Sequence, residues 1–194
     1  MALVSRNFLK IVSYNCNSIR SKVEVIRNLL NLCDILICQE VILLPDQGHI
    51  LSGITAHFGY VFVPSTFPES NHGDGRPVGG MVLFYKLYLS ISCRTVFRGP
   101  HFCLFEVESC GNTLNLASIY LPCDRRTDES LVRYQQTLGE LQAVIDNLDC
   151  GNFVAIGDFN ACPNRGRSWR FLSEFANENS LEFKDLSLPN DSFA

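Results

Sequence analysis

Two short apolar runs in this chain each lead into a carboxylate. Residues 34–40 finish at Glu40, and residues 153–160 open onto a Gly-Asp-Phe-Asn motif that contains Asp158 and Asn160. Apolar runs of this length, rich in Ile and Val, are typical of strands covered on both faces. The carboxyl ends of such strands form the sheet edge at which α/β proteins bind ligands. A hydrated Mg²⁺ ion takes one or two carboxylates and fills its other positions with water and phosphate, so the pair predicts a magnesium site.

The chemistry of each side chain suggests a role at such a site. Glu40 is the candidate metal ligand, and Asp158 is the candidate to orient and deprotonate an attacking water. Asn160 stands two residues further on, where an extended backbone would place it on the same face, and would donate a hydrogen bond to charge developing at phosphorus. Each residue also has a structural interpretation, since an Asp after a strand is commonly a helix cap or turn residue. The hypothesis therefore depends on several such elements occurring in order.

Two further segments supply polar residues at predicted strand ends. Residues 10–20 contain Asn15, whose amide carries no charge but can hold a metal-bound water or a phosphate oxygen. Residues 114–122 contain Tyr120 just before a proline, so its hydroxyl could reach a phosphate; the alternative is a tyrosine packed at the sheet edge. Four candidate elements thus follow one another along the chain.

The order of these elements resembles the endonuclease/exonuclease/phosphatase superfamily. The matching motifs are Tyr-Asn-Cys-Asn at 14–17, Gln-Glu at 39–40, Ile-Tyr-Leu-Pro at 119–122 and Gly-Asp-Phe-Asn at 157–160. Within the superfamily the chain is most similar to apurinic-endonuclease-like members, and among these to the target-nicking domain of non-LTR retrotransposons. The glycine pair and apolar strand at 78–85 are also familiar from that branch.

This resemblance implies Mg²⁺-dependent hydrolysis of a DNA phosphodiester, with Mn²⁺ as an alternative ion. It places Glu40 and Asn15 at the metal, and Asn15, Tyr120, Asp158 and Asn160 in catalysis. It also implies a reverse transcriptase downstream in a longer polyprotein. The alternatives are another phosphoesterase of the superfamily, such as a repair endonuclease or a lipid or inositol phosphatase, and a non-catalytic remnant.

The remnant alternative comes from one departure from the family pattern. The family closes on a strand bearing Asp-His, whose histidine contacts the scissile phosphate, and no Asp-His dipeptide occurs in these 194 residues. All four histidines precede residue 157. We therefore expect a single domain over residues 1–194 that is incomplete at its carboxyl end, lacks the last strands, and is poorly active by itself.

Composition indicates a globular intracellular protein. Apolar residues make up 46% of the chain and charged residues 19%, and no apolar run reaches the roughly 20 residues of a membrane helix. Nine scattered cysteines without a Cys-x-x-Cys pair favour a reducing compartment over a disulfide framework. If the chain nicks DNA, its location would be the nucleus.

Net charge bears on the predicted DNA partner. The formal charge of −4 argues against tight non-specific DNA binding but permits brief contact with a few phosphates. Arg165, Arg167 and Arg170 follow the Gly-Asp-Phe-Asn motif and are the candidate nucleic-acid contacts; a solvated loop leading into a helix is the alternative interpretation.

The predicted elements define an α/β fold. Strands are expected over 9–15, 34–40, 60–63, 78–86, 89–97, 102–109, 113–120 and 152–158, and helices over 19–32, with Ser18 as a cap, 128–148 and 168–177. A further short segment is expected at 181–184. Antiparallel hairpins between parallel segments imply two mixed sheets packed face to face with helices outside. The resemblance implies the same four-layer α/β sandwich, a DNase I-like fold.

Overall fold

Eight strands form two mixed four-stranded sheets in the part of the chain described by the computed structural model, which covers residues 8–54, 57–66, 77–148, 152–163 and 166–183. The first sheet contains β1 (Ile11–Asn15), β2 (Ile35–Gln39), β3 (Phe58–Val63) and β4 (Met81–Lys86). The second contains β5 (Ser92–Arg98), β6 (Phe102–Ser109), β7 (Asn112–Tyr120) and β8 (Asn152–Asp158). The α-helices are α1 (Val23–Leu32), α2 (His49–Ser52), α3 (Asp128–Asp146) and α4 (Gly166–Glu178).

Each sheet contains one parallel pair of strands. The first sheet has the order β1-β2-β4-β3, and β1 runs parallel to β2. The second has the order β5-β6-β7-β8, and β7 runs parallel to β8. The carboxyl ends of a parallel pair meet at one sheet edge, so the ends of β1 and β2 are neighbours, as are those of β7 and β8.

The two sheets pack face to face through an apolar layer. Ile35 and Ile37 of β2 share this layer with Phe105 of β6 and Leu116 of β7, and all four side chains are fully buried. The opposite face of the first sheet is covered by α1, whose buried residues pack against those of β2 and β4. Every residue of β2 is buried, as the apolar run at 34–40 predicts. The predicted sandwich of two mixed sheets with helices is confirmed.

The first helix begins later than the sequence predicts. Ile19–Ser21 form a 3₁₀ turn, and the α-helix starts at Val23. Ser18 makes no side-chain cap and has a φ of 90°. The backbone N–H groups of Ser18 and Ile19 instead donate to the carbonyls of Glu40 (2.8 Å) and Val41 (3.1 Å). These donors therefore tie the turn to the segment that follows β2.

Other boundaries move for local reasons. β4 starts at Met81, not at 78, because Gly79 and Gly80 have φ values of 71° and 79°, which end the extended geometry. Residues 181–183 form no strand, and residue 184 lies outside the described part of the chain. The remaining predicted strands and helices appear with shifts of a few residues.

The chain divides into two compact units. The first comprises Met1–Leu121 and Leu141–Phe159, and its described residues include both sheets and α1. The second comprises Pro122–Glu140 and Asn160–Ala194, and includes most of α3 and the whole of α4. The proposed single, incomplete domain stays a prediction.

Among the described residues, no helix is both long and apolar enough to cross a membrane.

Candidate active site

Asn15 joins the two carboxylates that the sequence singles out. Its side-chain nitrogen Nδ2 donates to Glu40 Oε1 at 2.6 Å and to Asp158 Oδ2 at 3.1 Å. Its Oδ1 accepts from the backbone N–H of Asn17 at 3.2 Å. One amide thus links the end of β1, the residue after β2 and the end of β8, although Asn15 and Asp158 are 143 residues apart. The three polar groups form one cluster where the two sheets meet.

The backbone of Glu40 adopts a conformation that residues other than glycine rarely take. Its φ is 52°, and Asn17 in the neighbouring loop has a φ of 40°. The carbonyl of Glu40 accepts from the N–H of Ser18, and the thiol of Cys16 donates to the same carbonyl at 3.4 Å. Non-glycine residues with such φ values cost of order 1–3 kcal/mol and persist where their surroundings hold them. Here the loop after β1 holds the residue that carries the carboxylate.

A second set of contacts holds the segment after Glu40. The N–H groups of Val41 and Ile42 donate to the carbonyls of Gly80 (3.2 Å) and Gly79 (3.3 Å). Ser65, only 3% exposed, donates from its hydroxyl to the Gly79 carbonyl at 2.9 Å. A Cβ on Gly80 would overlap that hydroxyl, so the glycine permits this close approach.

Cys16 is buried beside the cluster. Its thiol also donates to the Gln39 carbonyl at 3.1 Å. Burial raises the pKa of this thiol to about 12, and the nearby Glu40 carboxylate acts in the same direction. The neutral thiol is therefore a structural donor and not a nucleophile at physiological pH.

Gln39 links the two sheets behind the cluster. Its side chain is fully buried and exchanges hydrogen bonds with the Ser13 hydroxyl at 2.9 and 3.2 Å. Its Nε2 also lies 3.2 Å from the fully buried hydroxyl of Ser118, which belongs to the second sheet. Buried polar groups that are satisfied in this way fix one arrangement of their neighbours. The bond therefore ties the strand that leads to Glu40 to the strand beside Asp158.

Asp158 is set by the close packing of β7 against β8. Tyr120 lies opposite Asp158 in the register of these strands, and the N–H of Leu121 donates to the Asp158 carbonyl at 3.0 Å. Gly157 has a φ of 146°, and a Cβ there would overlap the backbone carbonyl of Ile119. The glycine of the Gly-Asp-Phe-Asn motif thus allows the two strand ends to approach each other.

Gly157→Ala is expected to lower the free energy of unfolding by about 3 kcal/mol, because it combines a backbone overlap with a φ that alanine avoids. Urea denaturation followed by circular dichroism measures the change. Gly139→Ala is the matched control: this glycine lies within α3, and a Cβ there meets nothing within 4 Å. The control should gain up to about 1 kcal/mol, since alanine favours the helix. Equal stability of the two variants would contradict this account of Gly157.

Tyr120 and Asn160 differ in how closely they match expectation. Tyr120 is partly buried and packs against the layer between the sheets, beside Asp158. β8 ends at Asp158, and Asn160 has a φ of 47° in the second unit. The extended backbone assumed for residues 157–160 is therefore wrong, and strand alternation no longer argues for a shared face. The catalytic role of Asn160 stays a prediction.

The candidate nucleic-acid contacts are mostly paired within the second unit. Arg167 donates to Asp128 at 2.8 Å and to Asp124 at 3.2 Å, and this pairing lowers the pKa of Asp124. Arg170 donates to Glu174 at 3.0 Å along α4. Arg165 lies outside the described residues. Their contact with nucleic acid stays a prediction, and Arg167 would have to exchange its carboxylate partners for a phosphate.

The chemistry of the cluster fits a hydrated magnesium ion. The described residues contain no group of three or more His, Cys, Asp or Glu side chains placed to hold a metal, which leaves no closed site of the structural zinc type there. Magnesium needs only one or two carboxylates and keeps several waters. Glu40 and Asp158, both in contact with one amide, satisfy that need.

Sequence reasoning missed the residues that support the cluster. Cys16 and Ser65 bind backbone carbonyls, and Ser118 completes the bond between the sheets. The residue types of these side chains do not indicate a supporting role, because serine and cysteine are common in apolar strands.

Solved structures share this fold at low sequence identity. An AP endonuclease from Leishmania major superposes with a TM-score of 0.66 at 14% identity, over 87% of this chain and 66% of that one. A 3′ phosphatase from Neisseria, bound to a product DNA hairpin, gives a TM-score of 0.63 at 14% identity over 88% and 71%. A mannosyl-6-phosphatase from Bacteroides thetaiotaomicron gives 0.58 at 14% identity over 86% and 71%. The DNase I-like fold is thereby confirmed.

The chain spans about two thirds of the length of that AP endonuclease structure. No curated protein matches it. The Endonuclease/Exonuclease/phosphatase family model matches residues 12–191, and the chain therefore belongs to this family.

Proposed function

We propose that this chain is the DNA-nicking domain of a non-LTR retrotransposon, a metal-dependent endonuclease that cuts one strand and exposes a 3′ hydroxyl. The observation that carries the hydrolytic part is the bridge by which Asn15 holds Glu40 and Asp158 together. The assignment to DNA is supported by the solved relatives, which include an AP endonuclease and a phosphatase bound to a DNA hairpin. The assignment to a retrotransposon depends on the sequence motifs alone.

In this proposal each residue has a role in hydrolysis that follows from the chemistry of its side chain. Glu40 would hold Mg²⁺, or Mn²⁺ in its place, through its carboxylate, and Asn15 would do so through its amide oxygen, because its Nδ2 donates to Glu40 and Asp158. When bound, such an ion would supply charge neutralisation at the phosphate. Asp158 orients the water and accepts its proton. Tyr120 and Asn160 donate to the phosphate oxygens.

Contacts with neighbouring residues position both carboxylates. Asp158 accepts a hydrogen bond from Asn15, and this bond orients its carboxylate. Glu40 is fixed through its backbone, so its carboxylate is presented by a segment that the loop after β1 and the glycine pair both hold. Preorganised groups of this kind cost little reorganisation during reaction.

A second candidate is a phosphatase or repair enzyme of the same family. It is favoured by the similar TM-scores of the Neisseria 3′ phosphatase and the Bacteroides mannosyl-6-phosphatase. Both are named as phosphatases, so this fold also occurs in enzymes that act on phosphate monoesters. The absence of an Asp-His pair from the chain favours a third reading, a non-catalytic remnant. A reverse transcriptase encoded downstream would support the first candidate, and a nuclear location follows only from it.

The test compares substrates under the same conditions. Supercoiled plasmid, an oligonucleotide with an abasic site, a 3′-phosphorylated oligonucleotide and a sugar phosphate are incubated with Mg²⁺ or with EDTA. Both the 194-residue chain and a longer form containing the sequence that follows it in the genome are used. We expect plasmid nicking by the longer form that stops in EDTA, and little by the shorter one. Release of phosphate from monoesters without nicking would favour the second candidate, and no hydrolysis by either form would favour the third.

A further inference from the structure

Asp124 is the centre of a hydrogen-bonded loop between β7 and α3. Its Oδ1 accepts from the backbone N–H of Arg126 at 2.7 Å and from Arg167 Nη2 at 3.2 Å. The hydroxyl of Ser130 lies 3.2 Å from the same oxygen and accepts from the N–H of Arg125 at 3.1 Å. One carboxylate oxygen thus joins this loop, the first turn of α3 and the start of α4.

Arg167 braces the loop through three residues. Its Nη1 donates to Asp128 at 2.8 Å, and its Nη2 donates to the Thr127 carbonyl at 3.0 Å as well as to Asp124. These acceptors run from the loop to the first residue of α3, and all of them belong to the second unit, as Arg167 does. A planar guanidinium with a fixed fork of donors suits such a set of acceptors, whereas the compact ammonium of lysine does not.

The braced loop presents two exposed arginines. Arg125 and Arg126 are adjacent, and neither guanidinium has a hydrogen bond or an ion pair with another residue that the structure describes. Arg126 has a φ of 63°, a conformation that is unfavourable for a residue other than glycine and persists where its surroundings hold it. The bond from its N–H to Asp124 supplies that hold. The backbone from which both arginine side chains project therefore depends on Asp124 and Arg167.

Two adjacent guanidinium groups suit a phosphodiester chain. Each can form paired hydrogen bonds to one phosphate, and a nucleic-acid strand repeats its phosphates, so neighbouring arginines can bind successive ones. Because the chain has a formal charge of −4, its affinity for a polyanion depends on local cations of this kind. Arg167 differs from the two exposed arginines, since its donors are taken up by two carboxylates and a carbonyl.

We propose that Arg125 and Arg126 bind the phosphate backbone of DNA, and that Arg167 is a positioning residue that holds their loop through Asp124. The proposal rests on the proposed function for the identity of the nucleic acid. It assigns phosphate contact to two arginines that precede α3, and it gives Arg167 a role other than direct contact with the substrate.

Removing Asp124 separates bracing from direct contact. Fluorescence anisotropy of a labelled DNA duplex in EDTA measures affinity without turnover, for the longer form and its variants. D124A deletes a negative charge and releases Arg167, so direct contact by Arg167 predicts tighter binding. Bracing predicts weaker binding, and we expect D124A and R167A each to raise Kd at least about threefold, because the two exposed arginines lose their fixed position. The double variant should bind like either single variant, since the two residues act as one unit.

Two further variants test the contacts themselves. R125Q/R126Q should raise Kd about tenfold and lower the salt dependence of binding by about two phosphate contacts. R167K keeps the charge of Arg167, so direct contact predicts parental affinity and bracing predicts the loss seen in R167A.

Glu129 and Arg133 are the matched control pair. Their side chains are exposed and form an ion pair at 3.8 Å on α3, in the same unit. E129A and R133A repeat the charge changes of D124A and R167A without removing any of the loop contacts described above. Both should bind DNA like the parent.

Each outcome decides one part of the proposal. Unchanged or tighter binding by D124A, or parental affinity of R167K, would overturn the bracing role of Arg167, and parental affinity of R125Q/R126Q would overturn the phosphate contacts. If D124A or R167A melts at a lower temperature, the salt dependence decides. Displaced arginines lower it, whereas a smaller folded fraction leaves it unchanged, and an unchanged value would overturn the bracing role. Plasmid nicking by the parent with Mg²⁺ is scored separately: its failure would overturn the proposed function while the binding comparison still judges the loop.

Discussion

In the longer form, replacing Asp158 with alanine is expected to lower the rate of Mg²⁺-dependent plasmid nicking by at least about a hundredfold, the usual scale for removing a positioned general base. Asp158 is held by the Asn15 amide and by the β7/β8 register, so its carboxylate is already placed before substrate binds. Asp158→Asn should lose as much, because the amide retains the size of the side chain but accepts no proton. The measurement is the initial rate of conversion of supercoiled to open-circular plasmid.

Asp146→Ala serves as the control for this experiment. Asp146 is an exposed residue at the end of α3 and accepts a hydrogen bond from Gln142. The Asp146→Ala substitution removes the same charge as Asp158→Ala but lies away from the cluster of Asn15, Glu40 and Asp158. The nicking rate of this variant should therefore equal that of the parent. If Asp158→Ala cut as fast as the parent, the assignment of the base would be wrong.

In the same longer form, replacing Glu40 with glutamine is expected to raise the Mg²⁺ concentration needed for half-maximal nicking by at least about tenfold. Glutamine keeps the shape of the side chain and removes the charge that attracts the cation, so activity should recover in part at high Mg²⁺. The backbone contacts of residue 40 with Ser18 and Cys16 do not involve the carboxylate, and the variant should therefore fold. A magnesium titration of the nicking rate measures the shift.

Glu24→Gln is the matched control for charge. Glu24 lies on the exposed side of α1, where its ion pair with Arg27 joins two solvent-facing side chains. Its magnesium titration should overlay that of the parent. A Glu40→Gln variant that lost activity at every Mg²⁺ concentration, with a lower melting temperature, would instead show that this strand end is structural.

The sequence predicted the parts of this protein that depend on local pattern. The continuous apolar run at 34–40 identified a strand buried on both faces, since only such a strand needs no polar side, and every residue of β2 is buried. The order of short motifs placed Asn15, Glu40 and Asp158 at strand ends, and the structure brings these three together. A carboxylate after an apolar strand is visible without knowing what the strand pairs with.

The backbone conformations around the cluster could not be predicted in the same way. Helix periodicity from Ile19 onward suggested one uninterrupted helix, but the first donors of that segment bond to carbonyls after β2. Those carbonyls are about twenty residues away, and no local propensity encodes them. The left-handed φ of Asn160 likewise breaks the alternation that the spacing of Asp158 and Asn160 suggested.

What the sequence by itself determined is which residues have the chemistry for phosphodiester hydrolysis and which strands carry them, because side-chain type and hydrophobic period are properties of the chain. What only the tertiary structure decided is that one amide joins carboxylates from two sheets, and that Gln39 and Ser118 tie those sheets together behind it. Contacts between residues far apart in the chain arise from sheet register and packing, which sum many weak local preferences and are fixed only when the whole fold forms.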